Sequence, residues 1–152
     1  MQFLTTENIS ELISGIIHED TQLHTDHIDL TVAEIHRITG AGSLDFGGSE
    51  FKPATTEKLE PKQRKPEDDY GWWKLGRGPY KIIFNETLEL DENAKAIISP
   101  HAHAREAGLV TNTNVISSGA NEEELAINVT VSEAGCNIKE NARVAAMYIL
   151  SF

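Results

Sequence analysis

The chain begins with an apolar pattern that predicts a short amphipathic helix. Apolar residues recur at helical spacing along one face: Ile9, Leu12, Ile13, Ile16 and Ile17. Thr5 or Thr6 can cap the N-terminus of this helix, whereas Gly15 weakens it. We therefore expect an N-terminal helix within residues 1–20 that depends on docking against the rest of the domain.

The pattern then changes to the two-residue period of β-strands. Ile28, Leu30 and Val32 alternate with polar or small residues, and "LAINVTV" at 125–131 repeats this alternation. Residues 43–79 carry much charge and predict a surface excursion, whereas residues 80–152 carry further short strands separated by Gly, Asn and Pro. This order predicts one all-β domain over residues 1–152, a sandwich or jelly roll with a leading helix.

The charge balance narrows the range of partners. The chain has 13 Lys and Arg against 24 Asp and Glu, a net charge of −11 that repels nucleic-acid polymers and anionic membranes on average. A small anion can still bind where a few cations cluster. No apolar run approaches the roughly 20 residues of a membrane span, and "MQFLTTENIS" lacks the features of a signal peptide. With one cysteine, Cys136, the chain is expected to be cytoplasmic and to have no membrane partner.

Two histidine-containing stretches are candidate metal sites. In "SPHAHAREAGL", residues 99–109, His101 and His103 would share one face of a strand and could place two imidazoles on one transition-metal ion. The alternative is a pair of surface histidines on that strand. The stretch "HTDH", which contains His24, Asp26 and His27, is a weaker signal of the same kind.

Five short motifs follow one another along the chain: "HIDLTV", "SPHAHAREAGL", "NTNVISSG", "LAINV" and "KENARVAAMYI". Their order and spacing resemble the dUTPase and dCTP deaminase superfamily, most closely the deaminase branch. The resemblance implies a distorted β-barrel or jelly roll and a homotrimer with nucleotide sites between subunits. It also implies a role in pyrimidine deoxynucleotide metabolism, with a deoxynucleotide as ligand and Mg²⁺ as cofactor.

The resemblance marks a set of nucleotide-binding candidates: Asp29, His101, His103, Arg105, Asn128 and Arg143. Asp29 matches an aspartate of the first family motif that arranges the metal and nucleotide environment, and Arg143 fits a family arginine. Taken alone, the strand pattern makes Asp29 a solvated residue. Arg105 is offset by one position from a family arginine, so on a strand it would face the opposite side unless a bulge redirects it.

The phosphate-binding and catalytic positions of the family are replaced. Where the deaminases have an Arg-Ser-Ser run, this chain has His101, Ala102 and His103, and Ala cannot supply directed donors to a phosphate. Ser117 replaces the aspartate that orients the attacking water in dUTPases. Asn128 replaces the deaminase glutamate that acts as general acid and base, and an amide has no titratable proton.

The chain departs from the family motifs at further positions, and some of these departures allow two interpretations. Ala120 lies near a family aromatic position, and Ala146 stands where a glutamine would contact the nucleotide. The glutamates at 122–124 could supply a displaced carboxylate or form a solvated turn. Two hypotheses therefore remain: a dUTPase-like or deaminase-like protein of deoxynucleotide metabolism in which standard catalysis is doubtful, and a non-catalytic homotrimeric binding or structural protein of the same fold. Neither hypothesis assigns a catalytic residue.

Overall fold

A computed structural model describes residues 1–119, 121–122 and 124–152, and antiparallel strands dominate it. The helices in this part of the chain are α1 (Thr6–Leu12), α2 (Glu19–Gln22) and α3 (Ala102–Glu106). The strands are β1 (Gln2–Phe3), β2 (Ile13–Ser14), β3 (Ile28–Gly40), β4 (Thr55–Leu59), β5 (Trp72–Leu75), β6 (Gly78–Phe84), β7 (Thr87–Glu89), β8 (Ala94–Pro100), β9 (Leu109–Val110), β10 (Asn114–Ile116), β11 (Asn121–Glu122), β12 (Ala126–Val131), β13 (Cys136–Lys139) and β14 (Arg143–Ser151). None of the described helices has the length and apolar character that crossing a membrane requires.

The main sheet has the strand order β10-β8-β14-β3-β6-β12-β9, with β1 beside β14 and β4 beside β3. The side chains that alternate on its inner face form the core, and they include Ile28, Leu30, Val32, Ile82, Phe84, Ile98, Ile127, Val129 and Val131. The alternation predicted over residues 125–131 is confirmed, because its apolar members are buried and Asn128 is exposed. The predicted all-β class is confirmed as well.

The N-terminal helix is shorter than its apolar pattern predicts. Helix α1 ends at Leu12, and Ile13 begins β2, where it pairs with Leu88 of β7. Gly15 then turns the chain with a φ of +85° so close to the Asn85 carbonyl that a side chain would collide with it. The apolar residues of this segment are thus shared between a helix, a strand and a turn. Ile9, Leu12, Ile13 and Ile16 pack on the core, whereas Ile17 is exposed.

The segment predicted as a surface excursion contains two strands. Strand β4 pairs with β3, and β5 pairs with β13. Trp73 is buried, and its indole N–H donates to the Leu59 carbonyl at 3.0 Å. The Arg64 guanidinium lies 3.6 Å from the centre of the Trp72 ring. Aromatic packing and strand pairing therefore hold the second half of the segment against the sheet.

A β-bulge in β14 shapes the end of the sheet near Asp29. The register shifts between Arg143 and Ala145, so Arg143 lies opposite Thr31 and Ala146 lies opposite Asp29. Residues directly opposite one another on antiparallel strands share a face, and so do Asp29 and Thr31 along β3. The bulge therefore puts Arg143, rather than Val144, on the face that carries Asp29.

Candidate functional site

One cavity of about 620 Å³ brings together most of the predicted site residues; we call it the Asp29 cavity. The predicted residues that line it are Asp29, His101, His103, Arg105 and Arg143. Its walls come from the turn before β3, the end of β8, helix α3 and strand β14. The small side chain of Ala146, directly opposite Asp29, leaves room for the cavity.

The Asp29 carboxylate is buried at the base of this cavity, with 2% of its side chain exposed. Its Oδ2 accepts a hydrogen bond from Arg143 Nη1 at 3.0 Å and lies 2.9 Å from His24 Nε2. The solvated position that the strand pattern alone assigns to Asp29 is wrong, because both faces of β3 are covered at this end. A buried carboxylate is stabilised by such cationic and hydrogen-bonding neighbours.

The stretch "HTDH" forms the tight turn that leads into β3. Leu23 pairs with Ile28, and the His24 N–H donates to the His27 carbonyl at 2.9 Å, so Thr25 and Asp26 form the tip. The two imidazoles stack with ring centres 4.4 Å apart. His27 and Asp29 are two residues apart on the same face. Strand alternation extended back from Asp29 places His27 beside it, whereas His24 reaches the same face only through the turn that pairs it with His27.

His101 and His103 do not lie on a strand, so the prediction that they share a strand face is wrong. Pro100 ends β8, and His101 is the N-cap of α3, where its Nδ1 accepts the His103 backbone N–H at 3.0 Å. The neutral His101 ring therefore carries its proton on Nε2, which lies 3.6 Å from Asp29 Oδ2. Burial holds the pKa of His101 below its ordinary value, and the Asp29 charge partly opposes this shift.

Arg105 reaches the Asp29 cavity from helix α3 rather than from a strand. The predicted problem of a one-residue strand offset therefore does not arise. Buried Ala104 anchors the helix, and the exposed Arg105 projects from it. Gly108, with a φ of +93°, ends this helix and directs Leu109 into β9.

Asn128 lines a second cavity of about 520 Å³, which we call the Asn128 cavity. Its polar lining is composed of Lys81, Thr111, Asn112, Asn114, Glu124 and Asn128. Lys81 Nζ donates to Glu124 Oε1 at 2.8 Å, and Thr111 Oγ1 donates to the Asn128 carbonyl at 2.9 Å. Glu124 is thus a carboxylate within the same cavity as the predicted catalytic position. The side chain of Glu122, and residues Ala120 and Glu123 as a whole, lie outside the described part of the chain.

Ser117 is exposed immediately after β10 and, among the described residues, belongs to the lining of neither cavity. Ile98 of β8 lines the Asn128 cavity, and the next residue, Ser99, lines the Asp29 cavity, so the two cavities lie on different sides of β8. Adjacent strand residues point to opposite faces of a sheet. Within one chain, the predicted phosphate-binding and catalytic positions therefore do not form a single site.

A buried hydrogen-bond network, which the sequence does not reveal, supports the Asp29 cavity from behind. Gln22 Nε2 donates to the Asp29 carbonyl at 2.9 Å and to Glu86 Oε1 at 2.7 Å. The Thr31 N–H and hydroxyl also donate to the Glu86 carboxylate, which is fully buried. Burial raises the pKa of Glu86, and the hydrogen bonds from Thr31 and Gln22 oppose that shift. The network fixes the strand that carries Asp29.

The donor groups of the Asp29 cavity do not suit a resident Mg²⁺ ion. Mg²⁺ prefers oxygen ligands in octahedral geometry. The described lining offers one carboxylate, that of Asp29, among imidazole and guanidinium groups. The imidazole nitrogens favour transition metals instead, whereas the guanidinium groups are cations that ligate no metal.

No protein-family model matches the chain. The chain is 32% identical over 133 residues to a "Probable deoxyuridine 5'-triphosphate nucleotidohydrolase" of Methanosarcina mazei, a match that covers 88% of this chain and 74% of that protein. A protein of the same name from Methanosarcina acetivorans is 33% identical over 133 residues, with the same coverage. The crystal structure of 2'-deoxycytidine 5'-triphosphate deaminase from Agrobacterium tumefaciens superposes with a TM-score of 0.69 at 14% identity. That superposition covers 97% of this chain and 46% of the deaminase chain, and it confirms the predicted distorted jelly roll.

Proposed function

Because the chain belongs to the deoxyuridine 5'-triphosphate nucleotidohydrolase (dUTPase) family, we propose that it is a cytoplasmic protein of pyrimidine deoxynucleotide metabolism that binds a nucleoside triphosphate but lacks the family's standard catalysis. The proposal rests on two parts of the molecule. The Asp29 cavity carries groups suited to phosphate binding, whereas the Asn128 cavity lacks the proton-transfer group of the deaminases.

The observation that carries the binding proposal is the concentration of cationic groups around Asp29 in a chain of net charge −11. Arg143 is held by its bond to Asp29, yet its side chain remains 34% exposed and keeps further N–H groups for a ligand. Arg105 lines the same cavity from α3, and so do the imidazoles of His101 and His103. Guanidinium groups match the geometry of phosphate oxygens.

Loss of standard catalysis follows from the side chains at the family's reactive positions. Asn128 holds hydrogen bonds but cannot take or give a proton, and Ser117 lacks the basicity of a carboxylate. Ser117 also lies apart from Asn128 in the described chain, outside the lining of its cavity. Glu124 is the nearest substitute carboxylate in the described lining, but Lys81 already neutralises it in an exposed ion pair.

We include a homotrimer in this proposal, because the two cavities lie on different faces of one chain. A site that uses both would need each cavity from a different subunit, as the family resemblance implies. Exposed Val110 on β9 and exposed Val115 on β10 lie at the two ends of the main sheet, where a neighbouring subunit could cover them. Sedimentation should give the mass of three chains, and a monomer at micromolar concentration would contradict the shared site.

The second candidate is a homotrimer that binds or supports a partner without using nucleotides. The replacement of the family's serine hydroxyls favours this candidate. Ala102, at the first of these serine positions, is exposed at the start of α3 and offers no hydrogen-bond donor from its side chain, and at the second position the imidazole of His103 replaces the hydroxyl.

Calorimetric titration with dUTP and dCTP, in buffer containing Mg²⁺, separates the two candidates. We expect saturable binding that weakens about tenfold or more in Arg105→Ala and in Arg143→Ala, since each change removes a charged hydrogen-bond donor. Arg77→Ala is the matched control, because Arg77 pairs with Glu133 on the exposed surface outside the Asp29 cavity. Absence of binding, or equal weakening in all three variants, would favour the nucleotide-independent candidate.

A further inference from the structure

The turn before β3 places three potential metal ligands together. One ligand atom from each of His24, His27 and Asp29 lies within 4.8 Å of the others. The carboxylate is buried, whereas the two imidazoles are 39% and 24% exposed and can be reached from the Asp29 cavity. Strand alternation and the tight turn explain why all three groups share one face.

The Nε2 atom of His27 and the carboxylate of Asp29 lie at a separation suited to binding one cation between them. Asp26 Oδ1 lies 2.7 Å from His27 Nδ1, and an ionised carboxylate can only accept, so Nδ1 carries the proton. In the neutral ring, Nε2 then presents a lone pair to Asp29 Oδ1 at 3.9 Å. Both atoms are electron-pair donors, so a metal ion between them can bind to both.

His24 can complete a ligand set at the same point. Its Nε2 lies 2.9 Å from Asp29 Oδ2, and its ring stacks on that of His27 with 16° between the planes. Moving its proton from Nε2 to Nδ1 frees the Nε2 lone pair without changing the charge of the ring. A modest ring rotation would then let the two Nε2 lone pairs converge.

We propose that His24, His27 and Asp29 form a binding site for one divalent transition-metal ion of the zinc class. Two imidazoles and a carboxylate are a ligand set that Zn²⁺ and its neighbours accept, and Asp26 is the positioning residue that orients His27. His101 is not a ligand, because its Nδ1 is used in capping α3 and its Nε2 is protonated in the neutral ring. Arg143 approaches Asp29 on Oδ2, which leaves Oδ1 for the ion.

This site goes beyond the proposed nucleotide binding and does not depend on it. Three protein ligands leave at least one coordination position of a zinc-class ion open. His101 and Arg143 line the same cavity, so water or an anionic group held by them could occupy that position.

Titration of the metal-stripped full chain with Zn²⁺, in buffer free of nucleotide, tests the site. We expect one ion per chain, and His24→Ala or His27→Ala should weaken binding by at least about a hundredfold, because each removes one of three ligands. Asp26→Asn should weaken it by about 10–100-fold, as is typical when the group that orients a metal-bound histidine is lost. The visible absorption of Co²⁺ bound to the same proteins reports the coordination geometry of the ion.

Two histidine variants serve as matched controls. His36 lies on β3 outside the Asp29 cavity and contacts Glu34, whereas His103 lines the cavity but is not in the cluster. His36→Ala and His103→Ala should bind Zn²⁺ as the natural sequence does. Melting curves in EDTA show whether the ligand variants remain folded. Absence of stoichiometric binding, unchanged binding in folded His27→Ala, or loss of binding in His103→Ala would overturn the proposal.

Discussion

The Asp29 cavity and the Asn128 cavity differ in how their polar groups are held. Around Asp29, a buried carboxylate is fixed by Arg143 and by a backbone network that extends through Gln22 to Glu86. Around Asn128, the groups are amides and a hydroxyl on exposed or half-buried strand and loop residues, with an exposed Lys81–Glu124 pair. Under the proposed function, the charged and preorganised Asp29 cavity is the binding region, and the positions that react in the family carry neutral side chains.

The largest effect expected from this comparison is on deamination of dCTP. General acid–base catalysis contributes about 10²–10⁴-fold, and Asn128 cannot supply it. Ammonia release from dCTP should therefore be slower by at least that factor than in a family member with intact motifs. A rate within tenfold of such an enzyme would mean that another group, such as Glu124, transfers the proton.

A variant that restores a carboxylate only at the family's catalytic position is the control for that prediction. Asn128→Glu restores a carboxylate in the Asn128 cavity but leaves the Arg-Ser-Ser donors absent. The variant should therefore remain inactive in the same assay. Recovery of deamination by this single change would show that the Asp29 cavity needs none of the missing donors.

The next largest effect concerns stability, where the two cavities should respond differently to removal of one glutamate. Glu86→Ala leaves the buried Thr31 N–H and Gln22 amide without their acceptor, and should lower the free energy of unfolding by about 3 kcal/mol. Glu124→Ala breaks an exposed ion pair and should cost less than about 1 kcal/mol. Urea denaturation of both variants measures the difference, and equal losses would contradict the contrast.

A smaller effect is the contribution of Glu86 to the pH dependence of the free energy of unfolding. Burial raises its pKa above the ordinary value of 4.5, so the folded chain binds this proton more tightly than the unfolded chain. The stability gained from protonation is complete below pH 4.5 and is lost as pH rises through the raised pKa. The free energy of unfolding of the natural sequence should therefore decrease with rising pH relative to that of Glu86→Gln. A pH-independent difference in urea denaturation would show that Glu86 titrates normally.

The apolar pattern predicts the strands but not the detailed surroundings of Asp29. Alternation places Asp29 opposite the core face, yet it cannot show that the N-terminal segment covers that face. The bulge before Ala145, which turns Arg143 toward Asp29, leaves no pattern in the apolar residues. The positions of His101 and His103 could have been anticipated in part, since Pro100 favours a strand end before them.

The central claim is binding of a nucleoside triphosphate without standard turnover, and one phosphorus NMR experiment reports both halves. In a near-equimolar mixture of the chain and dUTP with Mg²⁺, we expect the phosphate resonances to shift or broaden on binding. The signals of dUMP and pyrophosphate should not grow during a period in which a dUTPase with intact motifs consumes all the dUTP. Unperturbed phosphate resonances would contradict the binding, and rapid growth of the product signals would contradict the loss of catalysis.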